Sequence, residues 1–113
     1  MRLERLYLKD IIEAIERIER YLASIDRATF FEETLWQDAV VRNLEIIGEA
    51  TKQISEATRL KQSHVPWQAI ARMRDRLAHH YFRVDLEIVW KTATQELPVL
   101  KAAVAELLKE LEP

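Results

Sequence analysis

The sequence predicts an all-α protein: an up-and-down bundle of four or five helices forming one domain over residues 1–113. Three observations carry that expectation. One glycine and three prolines in 113 residues leave too little turn chemistry for a hairpin-rich β fold. The apolar residues, 49% of the chain, recur at steps of three and four, the period of helices buried on one face. No repeat, low-complexity tract or long linker divides the chain, and its length suits a single core.

The first helix is expected over residues 3–25, where Leu8, Ile11, Ile15, Ile18, Leu22 and Ile25 form one apolar seam. On its opposite face Glu13 and Arg17, then Glu16 and Arg20, stand at i,i+4, a favourable pairing. A polar break at 24–27 follows, and Asp26 suits the cap of a short turn through Phe30 and Phe31. The second long helix is expected over about 34–57, with Thr34 as its cap and Leu35, Val40, Leu44, Ile47 and Ile54 as its stripe. Gly48 lies inside it, at a cost of about 1 kcal/mol relative to alanine. It is either a tolerated defect or the point where another helix, of this chain or of a second copy, comes close. Residues 58–65 read as a loop. Pro66 suits the first position of a third helix to about residue 79. Asp85 and Glu87 open a fourth, with Leu86, Val89, Trp90, Ala93 and Leu97 on one face. Pro98 should kink or break it, and Leu100, Val104, Leu107 and Leu111 carry the stripe onward.

Composition excludes several functions. Without cysteine there is no disulfide, thiolate nucleophile, iron–sulfur cluster or sulfur-bound zinc. No apolar run exceeds four residues, so no membrane-spanning helix or signal core is expected, and the expected location is cytoplasmic. The net charge of −2 averages two unlike parts. Residues 59–83 carry Arg59, Lys61, Arg72, Arg74, Arg76 and Arg83 against Asp75, a local charge of +5 that leaves the other 88 residues at −7. All three histidines, His64, His79 and His80, fall in the same window.

On an ideal helix Ile70, Met73 and Leu77 form the buried stripe of this segment, with Arg74 and Tyr81 at its border. Asp75 and His79 share the outer face with Arg72 and Arg76, so Asp75 is placed to orient the His79 ring. Arg74 and His79 diverge by about 140°. Either the helix ends before His79 and the chain turns, or two copies of the segment meet across a symmetric interface. Arginine, histidine and tyrosine together fit phosphodiester chemistry. A guanidinium holds a phosphate and stabilises its developing charge. A histidine near neutral pKa moves a proton on or off a ribose or leaving oxygen, and Tyr81 and Phe82 offer stacking surface. Arg72, Arg76, His80 and Arg83 are the candidate RNA contacts beside that site; a solvated basic face would look the same. There is no H-x3-H, HExxH or cysteine, and neither a metal nor another cofactor is expected.

The segment from Arg74 to Tyr81 matches R-x4-H-x-Y, the motif of the HepT-like toxins within the HEPN superfamily. Residues 37–50, 65–74, 82–90 and 97–100 resemble the family's other blocks in the same order, so the likeness covers nearly the whole chain. The resemblance implies a HEPN-like bundle and a metal-independent endoribonuclease acting as a homodimer, two motif copies lining one cleft. That dimer would let the diverging Arg74 and His79 converge. It implies a toxin whose antitoxin is a minimal nucleotidyltransferase, the pair forming a larger hetero-oligomer, with RNA as substrate. Arg74 would hold and stabilise the phosphate, His79 would be the general acid/base, and Tyr81 would accept the AMP that silences the enzyme. One departure stands out: the residue after the motif arginine is most often asparagine and here is Asp75. It motivates a second expectation, a non-catalytic nucleotide-binding subunit that assists a partner nucleotidyltransferase. A plain helical oligomerisation domain is the third.

Overall fold

A computed structural model describes residues 2–79 and 85–111, with the side chains of Arg2, Ala78 and His79 outside that description. Every regular element among the described residues is helical. Helix α1 (Arg2–Ala23) is followed by short α2 (Arg27–Glu32), long α3 (Thr34–Thr51), short α4 (Glu56–Leu60) and α5 (Trp67–His79). The last rod is built from α6 (Leu86–Lys91), a π turn (Thr92–Glu96) and α7 (Leu97–Leu111). The bundle is the expected one: four long elements, with α2 and α4 as short connectors.

Helix α1 packs against α3 and α7, and α3 packs in turn against α5. The seam of α1 is inside from Leu8 to Ile18, with Leu8, Ile11, Ile15 and Ile18 buried against Val40, Leu44 and Ile47 of α3 and Leu100, Val104 and Leu107 of α7 in one core. Leu22 and Ile25, the latter beyond the helix end, are only partly buried. Burying such side chains contributes about 1.5–3 kcal/mol each before chain entropy is counted. Polar contacts fix the directions. Near the start of α1 the Glu4 carboxylate accepts the Ser55 N–H at 2.6 Å, just beyond α3. Late in α1, Arg17 Nε donates to buried Asn43 of α3 at 2.7 Å. The two helices are therefore antiparallel. Burial pushes the Glu4 carboxyl up, but hydrogen bonds from Ser55 and Thr58 outweigh it and hold the group below its usual range.

Several local expectations hold and several are corrected. Asp26 caps α2 by accepting from the Thr29 N–H at 2.8 Å. Phe30 and Phe31 then lie 5.3 and 6.4 Å from the Trp90 ring of α6. Asp85 caps α6 through the Glu87 and Ile88 N–H groups. Thr34 is the first residue of α3 rather than its cap, and Glu33 in that place makes no side-chain bond. Leu35 is exposed, because it precedes the turn where α3 meets the core. Helix α3 stops at Thr51 rather than 57. There Ser55 starts a new turn by accepting from Thr58 N–H, so part of the expected loop is helix α4. Pro98 breaks nothing: the helix widens just before it, and the Leu97 N–H reaches back five residues to the Thr92 carbonyl. A proline ring clashes with the carbonyl four residues earlier in an α-helix; a π turn moves that carbonyl away. No helix among the described residues is long and apolar enough to cross a membrane.

Candidate active site

Helix α5 carries the basic segment, and its start is pinned by Trp67. The buried indole donates from Nε1 to the carbonyls of Arg59 and Gln62 at 3.1 and 3.0 Å. Arg59 in turn donates to the Thr51 carbonyl at 2.7 Å, covering the C-terminal end of α3. Lys61 stands 3.7 Å from Glu110. Of the six bases in the charged window, Arg59 therefore serves the scaffold, and Lys61 lies near an exposed carboxylate. Among the rest, Arg72 and Arg76 are on the exposed side of α5.

The stripe of α5 differs from the ideal wheel. Trp67 and Ala71 are its buried residues, while Ile70, Met73 and Leu77 are half-buried at the edge of the core. The reason is Gly48. A Cβ built there would lie 2.7 Å from Arg74 Cβ, 2.9 Å from Arg74 N and 3.2 Å from Arg74 Cα. Without a side chain at 48, the backbone of α5 settles directly on α3, and it does so at Arg74. The choice left open for Gly48 is resolved as close approach by another helix of the same chain.

Seated this way, Arg74 extends a half-exposed guanidinium along the end of α3. Its Nε is 3.2 Å from a Glu49 carboxylate oxygen and Nη1 is 3.4 Å from Asp75 Oδ1. Lys52, the residue that ends α3, donates from Nζ to the same Asp75 oxygen at 2.7 Å. The hydrogen bond and charge of Lys52, helped by Arg74, hold the Asp75 carboxyl below the usual carboxylate range. Asp75 was expected to orient His79; its carboxylate is engaged by Lys52 and Arg74, and the His79 side chain lies outside the described residues. So do His80, Tyr81 and Arg83. An open groove of about 270 Å³ runs from Arg74 between α1 and α3, lined by Tyr7, Asp10, Arg42, Glu45 and Glu49 among others. Among the described residues no three His, Cys, Asp or Glu side chains gather as a metal site.

Sequence reasoning missed Lys52 and Glu49. Both lie outside the 59–83 window, on an acidic helix, and only their spacing with Gly48 could have pointed to them. Residues 48, 49 and 52 fall on one face of a helix, the face that receives α5.

Comparison with known proteins identifies the family of the chain. A family described as "Ribonuclease HepT-like" matches residues 11–107. The chain is 45% identical over 103 residues to "Probable ribonuclease HepT" of Thermococcus cleftensis, covering 91% of this chain and 94% of that one. It is 40% identical over 110 residues to "Putative RNase TTE0752" of Caldanaerobacter subterraneus subsp. tengcongensis, with 97% and 98% covered. A third relative, "Gamma-glutamylcyclotransferase and putative RNase MJ0434" of Methanocaldococcus jannaschii, is 41% identical over 108 residues. That match takes in 96% of this chain but only 49% of the relative, so the chain spans about half its length. No solved structure matches the chain.

Proposed function

The chain belongs to the HepT-like ribonuclease family, and from that premise we propose that it is a metal-independent endoribonuclease, the toxin of a toxin–antitoxin pair. The reaction is attack by a ribose 2′-hydroxyl on its own 3′-phosphate. The new bond is 2′-O–P and the bond that breaks is P–O5′. The proton leaves the 2′-hydroxyl and one is delivered to the departing 5′-oxygen, giving a 2′,3′-cyclic phosphate and a 5′-hydroxyl. Arg74 holds the phosphate and stabilises its developing charge. His79 handles the proton. Arg72, Arg76, His80 and Arg83 guide the flanking RNA.

The observation that carries this reading is the seating of Arg74. Its backbone rests on Gly48 and its guanidinium is half-exposed beside a second cation, within the segment that the family match covers. The half-buried Ile70, Met73 and Leu77 on the same helix support a homodimer that shares one cleft. Silencing proceeds by AMP transfer from a minimal nucleotidyltransferase antitoxin onto Tyr81, which adds negative phosphate and bulk where RNA must enter. Arg74→Ala and His79→Ala should each lower cleavage of single-stranded RNA by roughly 10²–10⁴, the range for a lost catalytic group. Cleavage that survives both substitutions would overturn the proposal.

The two carboxylates on Arg74, Glu49 and Asp75, favour a second reading, a non-catalytic nucleotide-binding subunit that supports the nucleotidyltransferase. It requires stable complex formation with that partner and no RNA cleavage by the purified chain.

A further inference from the structure

We propose that Lys52 is a second phosphate-binding cation of this site, held beside Arg74 by Asp75 until the phosphate of the RNA takes the place of that carboxylate. The inference rests on the RNA-cleaving reading above and adds a residue to it.

Lys52 Nζ and Arg74 Nη1 both point at one atom, Asp75 Oδ1, at 2.7 and 3.4 Å. Two cations that converge on one carboxylate oxygen also converge on one phosphate oxygen, since both are compact anionic acceptors. The three side chains are all partly open to solvent, between 32% and 46% exposed, and ion pairs in such settings are weakly held. A phosphodiester, with its own charge and several acceptor oxygens, can therefore displace the carboxylate. The complementary roles follow from shape. Arginine presents a planar fork that fixes orientation, and lysine presents a mobile point charge.

A purely structural role for the Lys52–Asp75 pair fits less well. The backbone contact of Gly48 with Arg74 already sets α5 on α3 at this level, one turn away from Lys52. The position also suits a cation for another reason: Lys52 ends α3, where helix carbonyls concentrate partial negative charge. That charge keeps the ammonium near the helix end when its carboxylate partner is displaced.

The test is binding of a 2′-O-methylated, hence uncleavable, single-stranded oligonucleotide to the full chain over a range of salt. Lys52→Ala should weaken binding several-fold for any sequence and lower the salt slope by about 0.7 per lost phosphate contact. Lys52→Arg should keep the wild-type slope. Asp75→Asn should tighten binding, because it removes the charge that holds Lys52 and one of the two carboxylates on Arg74, which keeps Glu49. A structural pin makes the opposite prediction, since Lys52→Ala and Asp75→Asn break the same pair and would shift binding the same way. An unchanged slope in Lys52→Ala, or weaker binding in Asp75→Asn, overturns the proposal. Failure of the wider reading looks different: there, Arg74→Ala also leaves oligonucleotide binding intact.

Discussion

Replacing Gly48 by alanine sets two opposing effects against each other, and the geometry decides between them. In a helix interior open to solvent the change should stabilise the chain by about 1 kcal/mol, because glycine is the poorer helix former. At position 48 the added methyl group would come within 2.7 Å of Arg74 Cβ and 2.9 Å of Arg74 N. These atoms are backbone and its first side-chain carbon, so no rotamer change relieves the clash. Ordinary contact begins near 3.4 Å, which asks α5 to move off α3 by about 0.7 Å or the helices to distort, an overpacking cost of about 1–3 kcal/mol. The balance is a net loss of about 1 kcal/mol, or a fall in Tm of roughly 4 °C for a chain of this size. Activity should suffer more than stability. If Arg74 holds the phosphate as proposed, displacing it by close to 1 Å costs on the order of 10² in rate, measured on RNA at a temperature where the variant is fully folded. Thermal unfolding and cleavage assays on the same preparation read both effects. A rise in Tm for Gly48→Ala would refute the close-approach argument. An unchanged cleavage rate beside a lowered Tm would refute the coupling of that contact to the site.

Glu4→Gln should lower stability at pH 7 by roughly 1–2 kcal/mol, the charge-assisted share of its bond to Ser55 N–H. The Glu4 pKa is depressed in the folded state, so its contribution is present above the unfolded carboxyl value and is lost as pH falls through the folded one. Tm measured from pH 7 to 3 should therefore drop less steeply in the variant than in the parent. Asn43→Ala removes the acceptor for Arg17 Nε at a cost of about 1.5–3 kcal/mol. In urea unfolding, Arg17→Ala should cost much less in the Asn43→Ala background than alone; strictly additive losses would count against the pair.

The fold was legible wherever one residue type has one physical use. Aspartates at 26 and 85 precede helical turns and cap them, as their side chains favour. The apolar steps from Leu8 to Ile18 and from Leu97 to Leu107 led straight to the core. Legibility failed where the outcome depended on a partner in space. Gly48 left a tolerated defect and a close contact equally open, and did not say which helix would make the contact. Ile70, Met73 and Leu77 have the spacing of a buried stripe, but the glycine contact sets which side of α5 faces inward. The end of α3 at Thr51 was hidden because the pattern runs on to Ile54, which is buried from the turn beyond the helix. For the candidate site, Arg74 and Asp75 were visible in the motif segment. Lys52 was not, since charge counted along the chain assigns it to an acidic stretch, and only the fold brings it to Asp75.

The π turn at Thr92–Glu96 makes this chain's length as consequential as its composition. Such a turn holds one more residue than an α-turn would, and because the wider winding takes up that surplus, the side chains from Leu97 onward stay in phase with those of α6. Deleting a single residue from 92–96 would remove that surplus and restore α-helical winding, with Leu100, Val104 and Leu107 kept close to their present phase relative to α6. It would, however, return a carbonyl to the path of the Pro98 ring. A one-residue deletion in this stretch should therefore cost stability chiefly through Pro98, and much less in a Pro98→Ala background, so the residue count there is a constraint set by the proline.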